Sequence, residues 1–418
     1  MPHERILLVN PPIYDFAAYD YWLKPLGLLY LSSILKNNGK NVFLLDAMDR
    51  HHPYFKKTIE REYGTGKFEY KYVEKPHVLK RVPRRFKRYG LPEEVIKKTI
   101  EGIKPDIVLV TTTLTYWYPG AVEILNTVKE IDKSIPVILG GIYPTLIKSH
   151  AKTLGFDRVF TIREMEDFAE FMGIKFPASF RDYPIPDYSF YRSGYVSITT
   201  SVGCPFRCPY CASYILYPEF SSKEPEMVVN EILFFGGKGI RNIAFYDDAL
   251  LFPPDRFISI FSKFFKKGIR FHTPNGVHAR FINREIAEVM KGAGFVNPRV
   301  SLETTSSEIQ METGGKVFTE EFVRAVENLR SAGYGDFEIG GYILFGLPGQ
   351  TEEDCRKDME FLNSLKVRIY LSEFSPVPGT KYYNLSDPIM SNNSAYLYIT
   401  GRGEELERLK FLKNRLNP

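Results

Sequence analysis

Cysteine is scarce in this sequence: 418 residues contain only four, together with two tryptophans and seven histidines. Three of the four cysteines lie on one short stretch, which favours a reducing cytoplasm over an oxidising compartment, where disulfides form. No apolar run approaches the ~18–20 residues of a membrane span. The first residues lead directly into the apolar strand-like residues 6–9, so we expect no signal peptide and no membrane partner.

A strong excess of one charge is also lacking. The 55 Lys and Arg residues nearly balance the 50 Asp and Glu residues, which leaves a formal charge of +5. That value is too small to predict a nucleic-acid partner by itself. Hydrophobic residues make up 44% of the chain and aromatic residues 15%. The aromatic share is high and indicates large ligand pockets or interfaces, and the length suffices for two or three domains.

The most informative stretch is residues 201–213, where Cys204, Cys208 and Cys211 follow a C-x3-C-x2-C spacing. The β-branched and aromatic residues 195–200 before it predict a strand, so the cysteines lie on the loop that leaves a strand end. Three thiolates on one loop can hold three corners of an iron–sulfur cube and leave the fourth iron open. A structural zinc site would need a fourth ligand nearby, and the nearest following histidine is His272.

This loop, with aromatic Tyr210 directly before the last cysteine, resembles the signature of the radical S-adenosylmethionine (SAM) superfamily. The resemblance implies a 4Fe–4S cluster on the three cysteines and SAM bound to the open iron. It also implies that one electron cleaves SAM, which gives a 5′-deoxyadenosyl radical or an equivalent carbon–sulfur cleavage.

Residues 195–380 contain six strand–helix repeats, which predict a partial TIM-type (β/α)6 barrel with its site at the carboxyl ends of the strands. Polar residues follow several of these strands, where family members bind SAM. The resemblance implies SAM contacts from Tyr210, Asp247, Asp248, Ser301, Glu303 and Ile343. His278 and Arg280 follow the third strand and are candidates for positioning substrate or moving a proton, with a structural role as the alternative.

The first 171 residues alternate strands and helices, which predicts a Rossmann-like, doubly wound parallel sheet. An N-P-P after the first strand, a P-x-G-L that opens the first helix and a G-G-x-x-P-T after a later strand resemble the cobalamin-binding domain of many radical SAM enzymes. The resemblance implies cobalamin contacts from Asn10, Pro11, Leu26, Gly27, Thr111, Thr112, Thr113, Gly140, Gly141 and Tyr143.

Two departures from the cobalamin-domain pattern stand out. Residues 10–22 contain no histidine, so we expect cobalamin to bind without a histidine axial ligand. The G-E-G-E that such domains carry near their end is replaced by T-I-R-E-M-E at residues 161–166. A degenerate domain that is retained for packing is therefore the alternative.

Residues 50–104 interrupt the α/β pattern with a basic, aromatic stretch at residues 80–89. Three interpretations are open. The arginines pair with nearby Glu69, Glu74, Glu93 and Glu94; the segment caps the site and grips an anionic group; or it binds RNA. A proline-punctuated linker is expected at residues 172–194, and a C-terminal tail and helix at residues 381–418.

The combined pattern predicts a cobalamin-dependent radical SAM enzyme that methylates an unactivated carbon of a small-molecule or peptide substrate. The resemblance implies a reducing electron donor such as flavodoxin or ferredoxin. A rearrangement or cyclisation with cobalamin absent or auxiliary is the main alternative, and an RNA-binding or RNA-modifying protein is a lesser one.

Overall fold

The computed structural model describes residues 5–192 and 194–418, which fall into two compact units. Unit 1 comprises the described residues up to 192 together with 377–379 and 383–392. Unit 2 comprises residues 194–376, 380–382 and 393–418. The C-terminal part of the chain is thus shared between the units, and the division into independently folding domains stays a prediction.

Unit 1 is an α/β unit. Its strands are β1 (Arg5–Asn10), β2 (Ile13–Asp15), β3 (Tyr19–Asp20), β4 (Asn41–Asp46), β5 (Ile59–Glu60), β6 (Gly66–Lys67), β7 (Tyr70–Tyr72), β8 (Lys87–Tyr89), β9 (Ile107–Thr111), β10 (Val137–Gly140) and β11 (Arg158–Val159). Its α-helices are α1 (Leu26–Asn37), α2 (Glu93–Ile103), α3 (Tyr118–Ile131), α4 (Ile142–Leu146), α5 (Lys148–Lys152) and α6 (Met165–Met172).

Five parallel strands form the main sheet of unit 1, in the order β11-β10-β9-β1-β4. Residues 6–9 of strand β1 are all apolar and buried because both faces of the sheet are covered. Leu7 and Val9 pack into one buried cluster, and Ile6 and Leu8 pack into another on the opposite face. The strand order reverses between β1 and β9, so the loops after these two strands lie where such sheets bind ligands.

The segment between β4 and α2 forms two small antiparallel sheets together with β2 and β3, which precede β4. One has the order β2-β8-β7 and the other β3-β6-β5. The predicted interruption of the α/β pattern is therefore folded rather than a bare loop, and β7 is the edge strand of its sheet.

Unit 2 is also α/β. Its strands are β12 (Tyr195–Ile198), β13 (Ser201–Val202), β14 (Ser221–Ser222), β15 (Asn242–Phe245), β16 (Arg270–His272), β17 (Val277–His278), β18 (Arg299–Glu303), β19 (Gly340–Phe345) and β20 (Arg368–Glu373). Its α-helices are α7 (Ser213–Leu216), α8 (Pro225–Gly237), α9 (Pro254–Phe261), α10 (Arg284–Ala293), α11 (Ser307–Glu312), α12 (Thr319–Ser331), α13 (Glu352–Ser364), α14 (Asn393–Ile399) and α15 (Gly403–Leu416).

The parallel strands of unit 2 pair in chain order as β12-β15-β16 and β17-β18-β19-β20. This is the strand–helix succession predicted for a partial barrel, and the α/β class is confirmed. One detail differs from the prediction. The third strand, expected over residues 271–275, ends at His272, and pairing resumes at Val277. A turn closed by the bond from Gly276 N to Thr273 O separates the two pieces, and Gly276 takes a φ of 79° there.

Candidate functional site

The three cysteines lie between β13 and α7 on a loop that begins at Gly203. Gly203 has a φ of 81°, and a Cβ at this position would lie 2.7 Å from the carbonyl oxygen of Glu219. Only glycine fits this turn without strain. Cys204, Cys208 and Cys211 are all free thiols, which is what ligation of a cluster requires.

Burial controls the chemistry of these thiols. Burial raises the pKa of Cys204 and of Cys208 to about 11, although the nearby ammonium of Lys316 offsets part of this rise. No three of the described His, Cys, Asp and Glu side chains converge as ligands of one metal ion do. Three soft thiolates on one loop are the donor set that an iron–sulfur cluster uses.

Asp247, predicted to bind the amino group of SAM, lies two residues after the end of β15 and is 2% exposed. Its carboxylate accepts hydrogen bonds from the backbone N–H and the hydroxyl of both Thr200 and Ser201, at 2.6 to 3.1 Å. These contacts fix the chain that enters the cysteine loop. Asp247 therefore positions that loop, and its predicted contact with SAM stays a prediction.

Asp248 holds the same loop at a second point. Its Oδ2 accepts hydrogen bonds from the backbone N–H of Gly203, at 3.2 Å, and from the hydroxyl of Ser213, at 2.8 Å. The Ser213 N–H in turn lies 3.5 Å from the Cys211 sulfur. Burial raises the pKa of Asp248. The structure thus brings Asp248 next to both ends of the cysteine loop.

Glu303 forms an ion pair that the sequence analysis missed. Lys316 donates to its Oε1 at 2.8 Å, and both side chains are 16% exposed. Glu303 has a φ of 68°, and the pairing of β18 with β19 shifts between Ser301 and Glu303. Although burial lowers the pKa of Lys316, Glu303 and Cys208 raise it above its ordinary value. Lys316 thus stays charged beside the cluster loop.

The two glycines before Lys316 are the sequence feature that could have indicated its place at the site. A Cβ at Gly314 would lie 3.6 Å from the Cα of Cys208, so this turn packs on the cysteine loop. A lysine directly after two glycines, just before helix α12, could have been recognised as a candidate charge at the site.

His278 and Arg280 do not share a role in the structure. The His278 Nε2 lies 3.8 Å from the Cys204 sulfur, and the side chain is 5% exposed. Arg280 donates to Glu321 at 2.8 Å and to the Gly315 carbonyl at 2.7 Å. His278 therefore contacts a cluster ligand, whereas Arg280 braces the turn that precedes Lys316.

The remaining predicted SAM residues are mostly buried. Tyr210 packs against the apolar cluster of Ile309, Leu344, Leu347 and Phe374, and burial raises its pKa. Ser301 pairs with His278 in the sheet and is 6% exposed. Ile343 is fully buried and pairs with Glu303. Their contacts with SAM stay predictions.

A cleft opens at the carboxyl end of the sheet in unit 1. Its lining comprises Asn10, Pro11, Pro12, Ile13, Leu23, Lys24, Pro25, Met48, Thr112, Thr113 and Trp117. Four residues predicted for cobalamin are among them, namely Asn10, Pro11, Thr112 and Thr113. Leu26 and Gly27 follow the lining residue Pro25 at the start of α1.

The other predicted cobalamin residues lie on β9 and β10 or beyond them. Thr111 and Gly140 pair in register, and the Thr111 hydroxyl donates to the Gly140 carbonyl at 3.2 Å. Gly141 has a φ of 97°, and a Cβ there would lie 2.4 Å from the Thr111 hydroxyl. Tyr143 is fully buried in the core, and its hydroxyl lies 2.5 Å from His150 Nδ1. Tyr143 thus packs inside unit 1 and does not line the cleft.

The region that carries the cysteine loop matches a known protein family. The model of the radical SAM superfamily matches residues 198–362. These residues belong to the radical SAM superfamily. The predicted radical SAM enzyme, with its 4Fe–4S cluster and SAM, is confirmed with this match. Enzymes of this kind need a reductant, so an electron donor is part of the system.

Curated relatives match at low identity. An uncharacterized methyltransferase of Pyrococcus horikoshii is 22% identical over 340 residues, which cover 70% of this chain and 73% of the relative. A bacteriochlorophyllide d C-12(1)-methyltransferase of Chlorobaculum tepidum is 23% identical over 274 residues. That match covers 59% of this chain and 59% of the relative.

Solved structures match over nearly the whole chain. The radical SAM methyltransferase TsrM of Kitasatospora setae has a TM-score of 0.68 at 14% identity, with 97% of this chain and 89% of that chain covered. The cobalamin-dependent enzyme OxsB has a TM-score of 0.60 at 16% identity, with 97% and 56% covered. These likenesses confirm the predicted fold class.

Among the described residues, no helix combines the length and the apolar character that a transmembrane segment needs. The predicted cytoplasmic location stays a prediction.

Proposed function

We propose that this protein is a cobalamin-dependent radical SAM enzyme that methylates an unactivated carbon of a small-molecule or peptide substrate. One observation carries the proposal: a single chain contains both the three-cysteine loop and a doubly wound sheet with a cleft at its switch point. The matched relatives support it, because two are named methyltransferases and TsrM has been solved with cobalamin and a [4Fe–4S] cluster bound.

The residues of unit 1 fit cobalamin in their chemistry. The described lining is mostly uncharged and ranges in size from Pro11 and Thr112 to Trp117, with Lys24 as its one cation. Gly27 has open space around it, since a Cβ there would meet no atom of the residues that the structure describes within 4 Å. Asn10, Pro11, Thr112 and Thr113 are the residues that would contact the cofactor.

In unit 2 the side chains would position the cluster and place charges beside the expected SAM site. Cys204, Cys208 and Cys211 would hold the cluster, and Asp247 and Asp248 hold their loop. Glu303 and Lys316 present one charge of each sign, which suits the amino and carboxylate groups of SAM. When bound, the cluster supplies the electron that cleaves SAM, and cobalamin supplies the methyl group. The proposed electron donor is a flavodoxin or a ferredoxin.

His278 is proposed to act on the cluster rather than on the substrate. Its Nε2 lies 3.8 Å from the Cys204 sulfur, while its Nδ1 is buried without a hydrogen-bond partner among the described residues. An imidazole whose Nε2 carries the proton can donate to the sulfur, and such bonds raise the reduction potential of a cluster.

We expect the variant His278→Phe to keep its iron and to have a more negative cluster potential than the wild type. Phenylalanine preserves the ring contacts with Phe206 and Phe281 but removes the donor. Redox titration monitored by electron paramagnetic resonance measures the shift. An unchanged potential with full iron content would contradict this role.

The proposed methyl transfer is tested by products formed from SAM. The enzyme loaded with cluster and cobalamin is incubated with SAM, a chemical reductant and candidate substrates, and nucleoside products are quantified. Methyl transfer predicts S-adenosylhomocysteine that depends on cobalamin, together with 5′-deoxyadenosine. Formation of 5′-deoxyadenosine alone, unchanged by cobalamin, would favour a rearrangement or cyclisation.

A further inference from the structure

Positive charge is concentrated in the segment 54–90 of unit 1. This segment contains 12 Lys and Arg residues and 4 Glu residues, a formal charge of +8. Because the whole chain carries +5, the residues outside the segment sum to −3. The mild net charge of the protein therefore conceals a strongly basic region.

Neighbouring carboxylates do not neutralise this region. Eight of its cations are exposed: Lys56, Lys57, Arg61, Lys67, Lys71, Lys80, Arg81 and Arg85. Within the described ranges 5–192 and 194–418, none of these eight lies at ion-pair distance from a carboxylate, and neither Glu69 nor Glu74 pairs with a cation. Arg88 differs, because it is buried and pairs with Glu123. The predicted pairing of Arg81 and Arg85 with nearby glutamates is therefore not seen among the described residues.

Tyrosine rings are interleaved with these cations. Tyr70 and Tyr72 are 48% and 53% exposed on edge strand β7, and their ring centroids lie 5.4 Å apart. The guanidinium of Arg85 lies 4.9 Å from the Tyr72 ring, and the Lys87 ammonium lies 4.7 Å from the Tyr70 ring. Tyr19, 44% exposed, pairs in register with Lys67. We call these side chains, with Lys71, the tyrosine face.

We propose that the tyrosine face binds a single-stranded nucleic acid. Exposed cations suit a phosphate backbone, and exposed rings suit unpaired bases, each of which has a flat face for stacking. A duplex would hide its base faces from the rings. An acidic peptide would use the cations but not the rings. The proposal needs neither cluster nor cobalamin, so it stands apart from the proposed methyl transfer.

The test is fluorescence anisotropy with labelled oligouridylate RNA and oligothymidylate DNA of about twenty nucleotides, long enough to span several stacking sites. We expect Tyr70→Ala combined with Tyr72→Ala to weaken binding by about tenfold or more, since stacking on one ring contributes ~1–3 kcal/mol. We expect Lys71→Glu combined with Arg85→Glu to reduce the slope of log K against log salt by about 1.4, at ~0.7 per phosphate contact. Comparison of the RNA and DNA probes shows whether binding depends on the ribose 2′-hydroxyl.

The matched control combines Phe411→Ala with Lys267→Glu, which removes one exposed ring and one exposed cation from unit 2. The control should bind both probes as the wild type does, and circular dichroism verifies the fold of every variant. Two results would overturn the proposal. One is binding by the tyrosine variant that equals the control. The other is displacement of the RNA by polyglutamate as effectively as by unlabelled RNA, which would indicate attraction of any polyanion.

Discussion

Replacement of Asp247 by alanine is expected to lower the free energy of unfolding by roughly 3 kcal/mol or more and to abolish cluster loading. The carboxylate is buried and accepts bonds from four donors of Thr200 and Ser201. Alanine would leave these donors without partners in the interior, and each unsatisfied group costs about 1–3 kcal/mol. The donors belong to residues just before Cys204, so the cysteine loop would lose its anchor.

Urea denaturation of the metal-free protein and iron analysis after reconstitution measure the two effects. The matched control is Asp336→Ala, which removes a half-exposed carboxylate paired with Arg330 and Lys366 in the same unit. Surface pairs contribute little, so the control should keep its iron and nearly all of its stability. An Asp247→Ala protein with normal iron content would refute the proposed positioning of the loop.

Substitution of Gly120 by alanine should disrupt the cleft of unit 1. A Cβ at Gly120 would lie 1.8 Å from the carbonyl oxygen of Pro12, and this backbone cannot rotate away as a flexible side chain could. Either helix α3 or the loop after β1 must move, and overpacking of this kind costs ~1–3 kcal/mol or more. Pro12 lines the cleft, so we expect cobalamin binding to weaken together with stability.

Gly102→Ala is the control for this effect. Gly102 lies on helix α2, and a Cβ there would meet no atom of the described residues within 4 Å, so alanine there should stabilise the helix by about 0.5–1 kcal/mol. Thermal unfolding and cobalt analysis compare the two variants. Equal stability and equal cobalt content in both would show that the loop after β1 does not shape the cofactor site.

Local sequence signals predicted much of the fold. Fully apolar residues 6–9 indicated a strand covered on both faces, and the structure places their side chains in two separate cores. The cysteine spacing located the cluster loop because all three residues lie within one turn region. In both examples the deciding contacts lie close together in the chain, where periodicity and spacing report them.

Contacts between distant residues could not be read from the sequence. Asn392 donates to buried Asp15 at 2.9 Å, although 377 positions separate them, so part of the predicted C-terminal tail belongs to unit 1. The Glu303–Lys316 pair depends on a shift in strand register, which no local pattern encodes. Tyr143 follows a glycine pair typical of a ligand loop, but helix α4 turns its ring into the core.

The central claim is that two cofactor sites exist in one chain. The most direct measurement is iron, sulfide and cobalt analysis of protein purified without oxygen from cells supplied with cobalamin. It compares the wild type with the variant in which Cys204, Cys208 and Cys211 are alanine, and with Cys355→Ala, whose thiol is buried on helix α13. We predict four irons and one cobalt per chain for the wild type and for Cys355→Ala, and we predict that the triple variant loses its iron but keeps its cobalt. Four irons without cobalt, even after reconstitution, would contradict the cobalamin-dependent account.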